Sequence, residues 1–179
     1  HQGHSEVRDN QFDKALANNH SLASLLNTAG YKTAAFGKWG LQGSGTAPYW
    51  EVHPLSRGFD YFYGYIRHGD GHRHYPKEDG KEVYENYDEV SSGLDKCYTT
   101  DLFTGGAKRW ITNHLASAEA DKPMFLYLAY DTPHAILQYP STAYPAGGGL
   151  TGGVQWVGTP GAMINTATGT VDGYIHPDY

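Results

Sequence analysis

The sequence predicts an α/β fold, part of a doubly wound, mostly parallel sheet flanked by helices, which the chain contains only in part. Two segments with helical periodicity each precede a short apolar run of strand length. Helices that alternate with strands are typical of parallel sheets, because the crossover between parallel strands needs a dozen or more residues. The chain has 179 residues, about the length of one domain.

The first predicted helix covers residues 20–28. Its apolar residues recur with the spacing of one helix face, at Leu22, Leu25, Leu26 and Ala29. Asn19 or Ser21 can cap its start, because both side chains can accept a hydrogen bond from the first turn. Gly30 suits the left-handed position that follows a helix end.

A short buried strand is predicted over residues 31–36, directly after Gly30. Gly37 then lets the backbone turn, and Lys38 and Trp39 follow at the carboxyl end of the strand. In α/β sheets this end is where ligands bind. The segment therefore presents a cation and an aromatic ring where a site is expected.

The second predicted helix begins near Tyr98 and ends near Ser117. One face carries Phe103, Ala107, Trp110, Ile111, His114 and Leu115. Thr99 or Thr100 can cap its start. The pair Gly105-Gly106 weakens the helix by roughly 1 kcal/mol per glycine relative to alanine.

The uninterrupted apolar run Met124–Tyr130 predicts a central strand buried on both faces. His134 follows at its carboxyl end, as Lys38 follows the first strand. If the two strands are parallel neighbours, Lys38 and His134 meet at one rim and suit a sulfate, phosphate or carboxylate group. Lysine supplies a point charge, and histidine can donate a hydrogen bond or exchange a proton near neutral pH.

The remaining segments are predicted to be mainly loops. The stretch 68–81 carries three histidines within seven residues, namely His68, His72 and His74. Residues 140–179 are rich in glycine and predict one long loop region within a single partial domain over residues 1–179. A loop of that length is unusual in a complete domain, so the chain is expected to stop before its next element.

Composition restricts the partners of the chain. Its net charge is −6, and a general nucleic-acid or anionic-membrane surface would need a basic excess. We expect no nucleic-acid partner and no membrane span, because no apolar run approaches the ~20 residues that a span requires. The single cysteine, Cys97, excludes an intrachain disulfide and a four-cysteine zinc site.

Several blocks of the sequence, taken together, resemble the type I sulfatases of the alkaline phosphatase superfamily. The first block is Leu25-Leu26-(x)2-Ala29-Gly30-Tyr31-(x)-Thr33-Ala34-(x)2-Gly37-Lys38-Trp39. It is followed by Gly58-Phe59-Asp60-Tyr61-Phe62-Tyr63-Gly64, by Tyr98-(x)2-Asp101-Leu102-Phe103-Thr104 and by Phe125-Leu126-Tyr127-Leu128-Ala129-Tyr130-(x)2-Pro133-His134. The blocks follow the order of the family and cover roughly residues 20–140.

The resemblance implies a sulfuric-ester hydrolase that acts on an aryl or carbohydrate sulfate ester. In the family, a cysteine within a Cys-x-Pro-Ser-Arg segment becomes formylglycine, and calcium polarises the sulfate oxygens. This sequence has no such segment, so formylglycine and the calcium ligands are expected outside the chain. The isolated chain is therefore expected to be inactive, and the resemblance implies a periplasmic or secreted parent.

The resemblance carries over two functional positions. Lys38 matches the lysine that contacts the sulfate, and His134 matches the histidine that contacts the sulfate and the leaving oxygen. Many members read Gly-Lys-Trp-His-Leu-Gly, whereas Gly40 replaces that histidine here. His72 or His74 is the candidate for the missing imidazole, with His74 as a catalytic candidate. Trp39 and His72 are candidates for substrate binding.

Two alternatives to a sulfatase stay open at the level of the sequence. A phosphatase or phosphodiesterase of the same superfamily would use threonine or serine as its nucleophile. A non-catalytic glycan-binding module would account for the 15 tyrosines without any turnover. The residues that precede His1 in a longer parent would distinguish the first alternative from a sulfatase.

Overall fold

A computed structural model describes residues 21–94 and 97–134, together with the backbone of three short strands beyond them. The elements in chain order are α1 (Leu22–Thr28), β1 (Lys32–Lys38), β2 (Tyr61–Tyr65), β3 (Tyr84–Glu85), β4 (Asp88–Glu89), α2 (Thr99–Leu115), β5 (Met124–Ala129), β6 (Ile136–Gln138), β7 (Met163–Asn165) and β8 (Thr170–Val171). Short 3₁₀ turns occupy Pro54–Arg57, Asp70–His72 and Ser91–Gly93.

The main sheet has five strands in the order β4-β3-β2-β1-β5. β1 pairs in parallel with β2 on one side and with β5 on the other. β3 and β4 form an antiparallel ribbon that joins the sheet through β2. The α/β prediction is confirmed, as a mixed sheet in which β2, β1 and β5 are parallel to one another.

The two helices cover opposite faces of this sheet. Successive residues of a strand point to opposite faces. Ala35 packs in one buried cluster with Ala23 of α1, whereas Phe36 packs in a second cluster with Phe103 and Ala107 of α2. β1 is thus buried from both sides, as a doubly wound arrangement requires.

The start of α1 is fixed by a reciprocal cap. The backbone N–H of Ser24 donates to Oγ of Ser21 at 3.0 Å, and the backbone N–H of Ser21 donates to Oγ of Ser24 at 2.9 Å. This confirms Ser21 as the N-cap, whereas Asn19 lies outside the described residues. Gly30 has a φ of 90°, the left-handed conformation that was predicted. β1 extends two residues further than predicted and ends at Lys38.

The prediction that Thr99 or Thr100 caps α2 is wrong. The N-cap is Tyr98, and its side chain makes no capping hydrogen bond. Oγ1 of Thr99 instead donates to Oδ2 of Asp131 at 2.9 Å in a fully buried position. A carboxylate acceptor gives the stronger hydrogen bond, so tertiary contact overrides the local cap.

The predicted inner face of α2 is confirmed at Phe103, Ala107 and His114, which are buried, but Leu115 is 58% exposed. Gly106 has a packing role that the sequence did not reveal. A Cβ at this position would lie 2.7 Å from Cδ1 of Tyr63, so only glycine lets the helix approach β2 this closely. Gly105 faces open space.

The prediction of a central strand buried on both faces over Met124–Tyr130 is wrong for the described part of the chain. β5 lies at the edge of the main sheet, and Tyr127 and Leu128 are 46% and 40% exposed. An apolar run indicates that a segment forms a strand and favours burial, but it does not indicate how many strands pair with that segment. Here β1 is its one described neighbour.

The predicted loop region over residues 140–179 lies mostly outside the described residues. The described backbone forms a second, three-stranded antiparallel sheet in which β7 lies between β6 and β8. In the portion of the chain that the structure describes, every helix is too short or too polar to cross a membrane.

Candidate active site

The carboxyl ends of β1, β2 and β5 meet at one rim of the sheet. Gly37 lies opposite Gly64 in β2 and opposite Ala129 in β5. Its φ is 99°, and a Cβ there would run into the carbonyl of Ala129. Glycine is therefore needed where three backbones converge, and Lys38 leaves the sheet at this point.

The side chain of Lys38 runs along the turn that follows β2. A Cβ at Gly71 would lie 2.6 Å from Cδ of Lys38, so the absence of a side chain at Gly71 makes room for the lysine stem. The ammonium group lies close enough to His72 and His134 to lower the pKa of both imidazoles. The three side chains thus share one electrostatic environment.

His134 stands where the sequence predicted, beyond the carboxyl end of β5. Its ring stacks on the ring of His72 with a centroid separation of 4.4 Å and an angle of 25° between planes. Desolvation lowers the pKa of His134, and the charge of Lys38 lowers it further. Within residues 21–94 and 97–134, the buried Nδ1 of His134 meets no hydrogen-bond partner.

His72 is held neutral by its surroundings. Desolvation lowers its pKa to about 4, with further lowering from Lys38, His134, His68 and Lys81. A neutral imidazole carries one N–H and one acceptor nitrogen. His72 can therefore donate a hydrogen bond to an anion without being charged.

Ion pairs hold the turn that carries His68 and His72. Nε of Arg67 donates to Oδ2 of Asp70 at 2.8 Å, and a second guanidinium nitrogen lies 3.2 Å from Glu82. Asp70 is 5% exposed, so this pair is partly shielded from water. The hydroxyl of Tyr65 donates to the carbonyl of Arg73 at 2.7 Å and fixes the end of the turn to β2.

His74 is fully buried and bonded to the loop that carries His134. Its Nδ1 lies 2.9 Å from Oδ2 of Asp131, and a carboxylate oxygen can only accept, so Nδ1 donates. Oγ1 of Thr99 donates to the same oxygen. The catalytic role proposed for His74 stays a prediction, and its geometry is that of a residue that anchors Asp131 three positions before His134.

Trp39 is engaged in packing. Its Nε1 donates to the carbonyl of Val52 at 2.7 Å, and its ring meets Phe59 edge to face at 6.0 Å between centroids. The indole is only partly buried. Substrate binding by Trp39 stays a prediction that this geometry does not favour.

His68 was not among the predicted site residues, although the sequence showed it within the histidine-rich loop. A Cβ at Gly40 would lie 3.6 Å from Nδ1 of His68, so the imidazole of His68 lies against the position at which the sequence lacks a histidine. Nε2 of His68 also lies 2.9 Å from Nε2 of His72. The proximity of a residue 28 positions away gave no local signal in the sequence.

The described residues do not fit a calcium site. Calcium prefers carboxylate and carbonyl oxygens, whereas this rim presents imidazoles and an ammonium group. Among the residues described, no three His, Cys, Asp or Glu side chains come together in a way that could hold a metal ion. The rim instead presents cationic and N–H groups suited to an anionic oxygen.

A separate cavity of about 450 Å³ lies beside α2 and is lined by Tyr63, Cys97, Tyr98, Asp101, Leu102, Gly105, Gly106 and Arg109. None of the predicted site residues contributes to its walls. The candidate site is therefore the rim formed by Lys38, His72 and His134, with His68 beside it, and we call these four side chains the rim cluster.

Comparison with known proteins identifies the family of the chain. The Sulfatase family model matches residues 1–149. Arylsulfatase J of Mus musculus is 32% identical over 142 residues, which are 76% of this chain and 22% of the relative. The uncharacterized sulfatase YdeN of Escherichia coli (strain K12) is 30% identical over 131 residues, which are 63% of this chain and 21% of the relative.

Solved structures show the same likeness. The crystal structure of Ps i-CgsB in complex with k-i-k-neocarrahexaose has a TM-score of 0.51 and 28% identity, and the match covers 69% of this chain and 30% of that chain. Ps i-CgsB alone gives a TM-score of 0.54 over 72% of this chain and 32% of that chain. The chain spans about a fifth of the length of the two curated relatives. It belongs to the Sulfatase family, of which it represents a part.

Proposed function

We propose that this chain carries part of the sulfate-binding site of a sulfuric-ester hydrolase. In this proposal Lys38 and His134 contact the sulfate group, and His134 also faces the leaving oxygen. The observation that carries the proposal is the convergence of Lys38, His72 and His134 beyond the carboxyl ends of three parallel strands, β1, β2 and β5. Family membership supplies the reaction class.

The chemistry of the rim suits an ester of sulfuric acid. Such an ester keeps one negative charge spread over three oxygens, which matches one ammonium group and neutral N–H donors better than a strongly cationic pocket. The low pKa of His72 keeps total positive charge small at neutral pH. In this proposal the positive charge of Lys38 stabilises the negative charge that develops during the reaction.

Sulfated carbohydrates and aryl sulfates are the substrate classes that we propose. One structural neighbour is bound to k-i-k-neocarrahexaose, an oligosaccharide. Arylsulfatase J bears the name of an aryl sulfate hydrolase. In this proposal Lys38 and His134 contact the sulfate group, which both substrate classes share, so these two residues do not select between them.

The test is turnover by the full-length parent. We expect it to hydrolyse p-nitrophenyl sulfate or a sulfated oligosaccharide, and to leave p-nitrophenyl phosphate and bis(p-nitrophenyl) phosphate largely intact. Preference for the phosphate esters would instead support the phosphatase or phosphodiesterase alternative. Binding of sulfated glycans without any turnover would support the glycan-binding alternative.

Substitutions in the parent assign the roles. Lys38→Ala and His134→Ala are each expected to lower kcat/KM by about 100-fold or more, the size seen when one electrostatic group of a transition state is removed. Lys108→Ala is the matched control, because Lys108 is exposed on α2. Unchanged kcat/KM in Lys38→Ala would overturn the proposal.

Formylglycine and calcium belong to the proposal for the full-length parent, with their residues outside this chain. We also propose that the 179-residue chain alone does not hydrolyse sulfate esters, and that the parent is periplasmic or secreted. Turnover of an aryl sulfate by the purified chain would refute the first statement. Recovery of the parent only from the cytoplasm would refute the second.

A further inference from the structure

The rim cluster contains a hydrogen bond between two imidazoles that the proposed function does not use. Nε2 of His68 and Nε2 of His72 are 2.9 Å apart, and the two rings are nearly perpendicular, at 86°. Such a bond needs one nitrogen that carries a hydrogen and one that does not. The tautomer of one histidine therefore determines which nitrogen of the other carries the hydrogen.

The backbone places His68 firmly beside β1. The parallel pairing of β1 and β2 continues past both strands, because the N–H of Trp39 donates to the carbonyl of Tyr65 and the N–H of Gly40 donates to the carbonyl of Ile66. His68 follows two residues later. Its ring lies beside Gly40, since a Cβ at position 40 would be in ordinary van der Waals contact with Nδ1 of His68, at 3.6 Å.

His72 is similarly fixed on its other side. Its ring stacks on His134, and the turn that carries it is wrapped around the stem of Lys38 at Gly71. The groups whose charge acts on His72 are Lys38 on β1, His134 beyond β5, His68 on the same turn and Lys81 in the following loop. All of these are cationic or neutral, so none of them stabilises a charged His72.

We propose that His68 is a positioning residue that donates from Nε2 to Nε2 of His72 and thereby keeps the hydrogen of neutral His72 on Nδ1, where it serves the sulfate group. This inference rests on the proposed function, because it takes the anion at the rim to be sulfate. It explains how a histidine beside a lysine contributes to an anion site without being protonated. The lowered pKa of His72, about 4, is consistent with a neutral donor at pH 7.

The proposal makes His68 and Gly40 a matched pair. The imidazole of His68 lies in van der Waals reach of position 40, where the φ of 71° favours glycine, and His72 needs the hydrogen bond that His68 supplies. His74 is tied instead to Asp131, through its Nδ1.

The direct test is the tautomer of His72, read from the two-bond ¹⁵N–¹H correlations of its ring at pH 7. We expect the Nδ1–H form in the wild-type protein and a shift to the Nε2–H form in His68→Ala. His68→Gln is expected to preserve the Nδ1–H form, because its amide group can donate to Nε2. His114→Gln is the control, since His114 lies on α2 and bonds to the carbonyl of Lys122 in the turn before β5. An Nε2–H form in the wild type, or no change in His68→Ala, overturns the proposal.

Kinetics of the full-length parent supply the second readout. His68→Ala is expected to raise KM for a sulfate ester about tenfold with a smaller change in kcat, because a contact made equally in ground and transition states affects binding. His68→Gln should keep KM within about threefold of the wild type. A normal KM in His68→Ala would overturn the role of His68.

The two proposals can fail separately. If the parent hydrolyses no sulfate ester, the proposed function fails, and titration of inorganic sulfate into wild type and His68→Ala then tests the positioning role. Equal affinity for sulfate in the two proteins overturns it. Weaker binding in His68→Ala together with the altered tautomer supports it.

Discussion

β1 and β5 are parallel neighbours that both end at the rim, but they differ in burial and in the number of strands that pair with them. β1 has five consecutive buried residues between partners on both sides, whereas β5 is half-exposed and pairs with β1 alone among the described strands. Lys38 is the last residue of β1 itself, while His134 lies five residues beyond the end of β5.

The difference shows that the two site residues depend on different interactions. The position of Lys38 is set by backbone pairing and by core packing on both faces of β1. The position of His134 is set by side chains, through Asp131, His74 and Thr99. We therefore expect core substitutions to affect the β1 side most, and polar substitutions to affect the β5 side most.

The largest expected contrast is between Phe36 and Leu128, which lie opposite each other in the register of the two strands. Phe36 is 1% exposed and Leu128 is 40% exposed. Phe36→Ala should lower the free energy of unfolding by about 3–5 kcal/mol, and Leu128→Ala by about 1 kcal/mol or less. Urea denaturation of the chain measures both, and equal losses would refute the contrast between the strands.

The second prediction concerns the anchor of the β5 side. Asp131→Ala leaves buried donors on His74 and Thr99 without their acceptor, and should lower the free energy of unfolding by about 3 kcal/mol. Asp131→Asn should cost less, because its amide oxygen still accepts. Asp121→Ala, in an exposed turn, is the matched control. Denaturation curves in which Asp131→Ala matches Asp121→Ala would rule out the anchor.

The third prediction uses pH to separate the core from the rim. His53 is 1% exposed, packs edge to face against Phe62 of β2, and burial lowers its pKa to about 4. The unfolded chain therefore binds a proton more readily, so stability is complete above about pH 6.5 and declines as pH falls toward 4.

This shift in the pKa of His53 corresponds to a loss of about 3 kcal/mol in the free energy of unfolding, since one unit of pKa is about 1.4 kcal/mol. His53→Gln should flatten the dependence of the free energy of unfolding on pH between 6.5 and 4. The remaining dependence should include His72, whose pKa is also lowered to about 4. An unchanged slope in His53→Gln would disagree with its neutral, buried state.

The smallest expected effect separates two adjacent glycines of α2, the helix that packs on the β1 side. Gly106→Ala should destabilise the chain by about 1–3 kcal/mol, because the added Cβ would meet Tyr63. Gly105→Ala should stabilise it by about 0.5–1 kcal/mol, because Gly105 faces open space and alanine favours the helix. Thermal unfolding of the two variants should therefore shift in opposite directions.

The meeting of Lys38 and His134 could be predicted because it depends on local patterns. Each residue follows an apolar run of strand length, and parallel strands end at the same edge of a sheet. The Ser21 cap and the left-handed Gly30 were predictable for the same reason, since each depends on a few adjacent residues.

Three features could not be predicted, because they depend on residues distant in sequence. They are the exposure of β5, the hydrogen bond of Thr99 to Asp131 and the position of His68. Thr99 and Asp131 are 32 residues apart, and His74 and Asp131 are 57 residues apart. Local propensity assigns a threonine at the start of a helix to capping, because it takes no account of a buried carboxylate from a distant loop. His68 likewise depends on how far the pairing of β1 and β2 extends beyond the strands.

The most direct test of the central claim is a titration of inorganic sulfate into the ¹⁵N-labelled chain, followed through the ring signals of its histidines. If Lys38, His72 and His134 surround one anion, the signals of His72 and His134 should shift together with a single Kd, and Lys38→Ala should abolish both shifts. His53 and His114 should not respond. Shifts of His72 and His134 with different affinities, or shifts that persist in Lys38→Ala, would contradict a shared sulfate site.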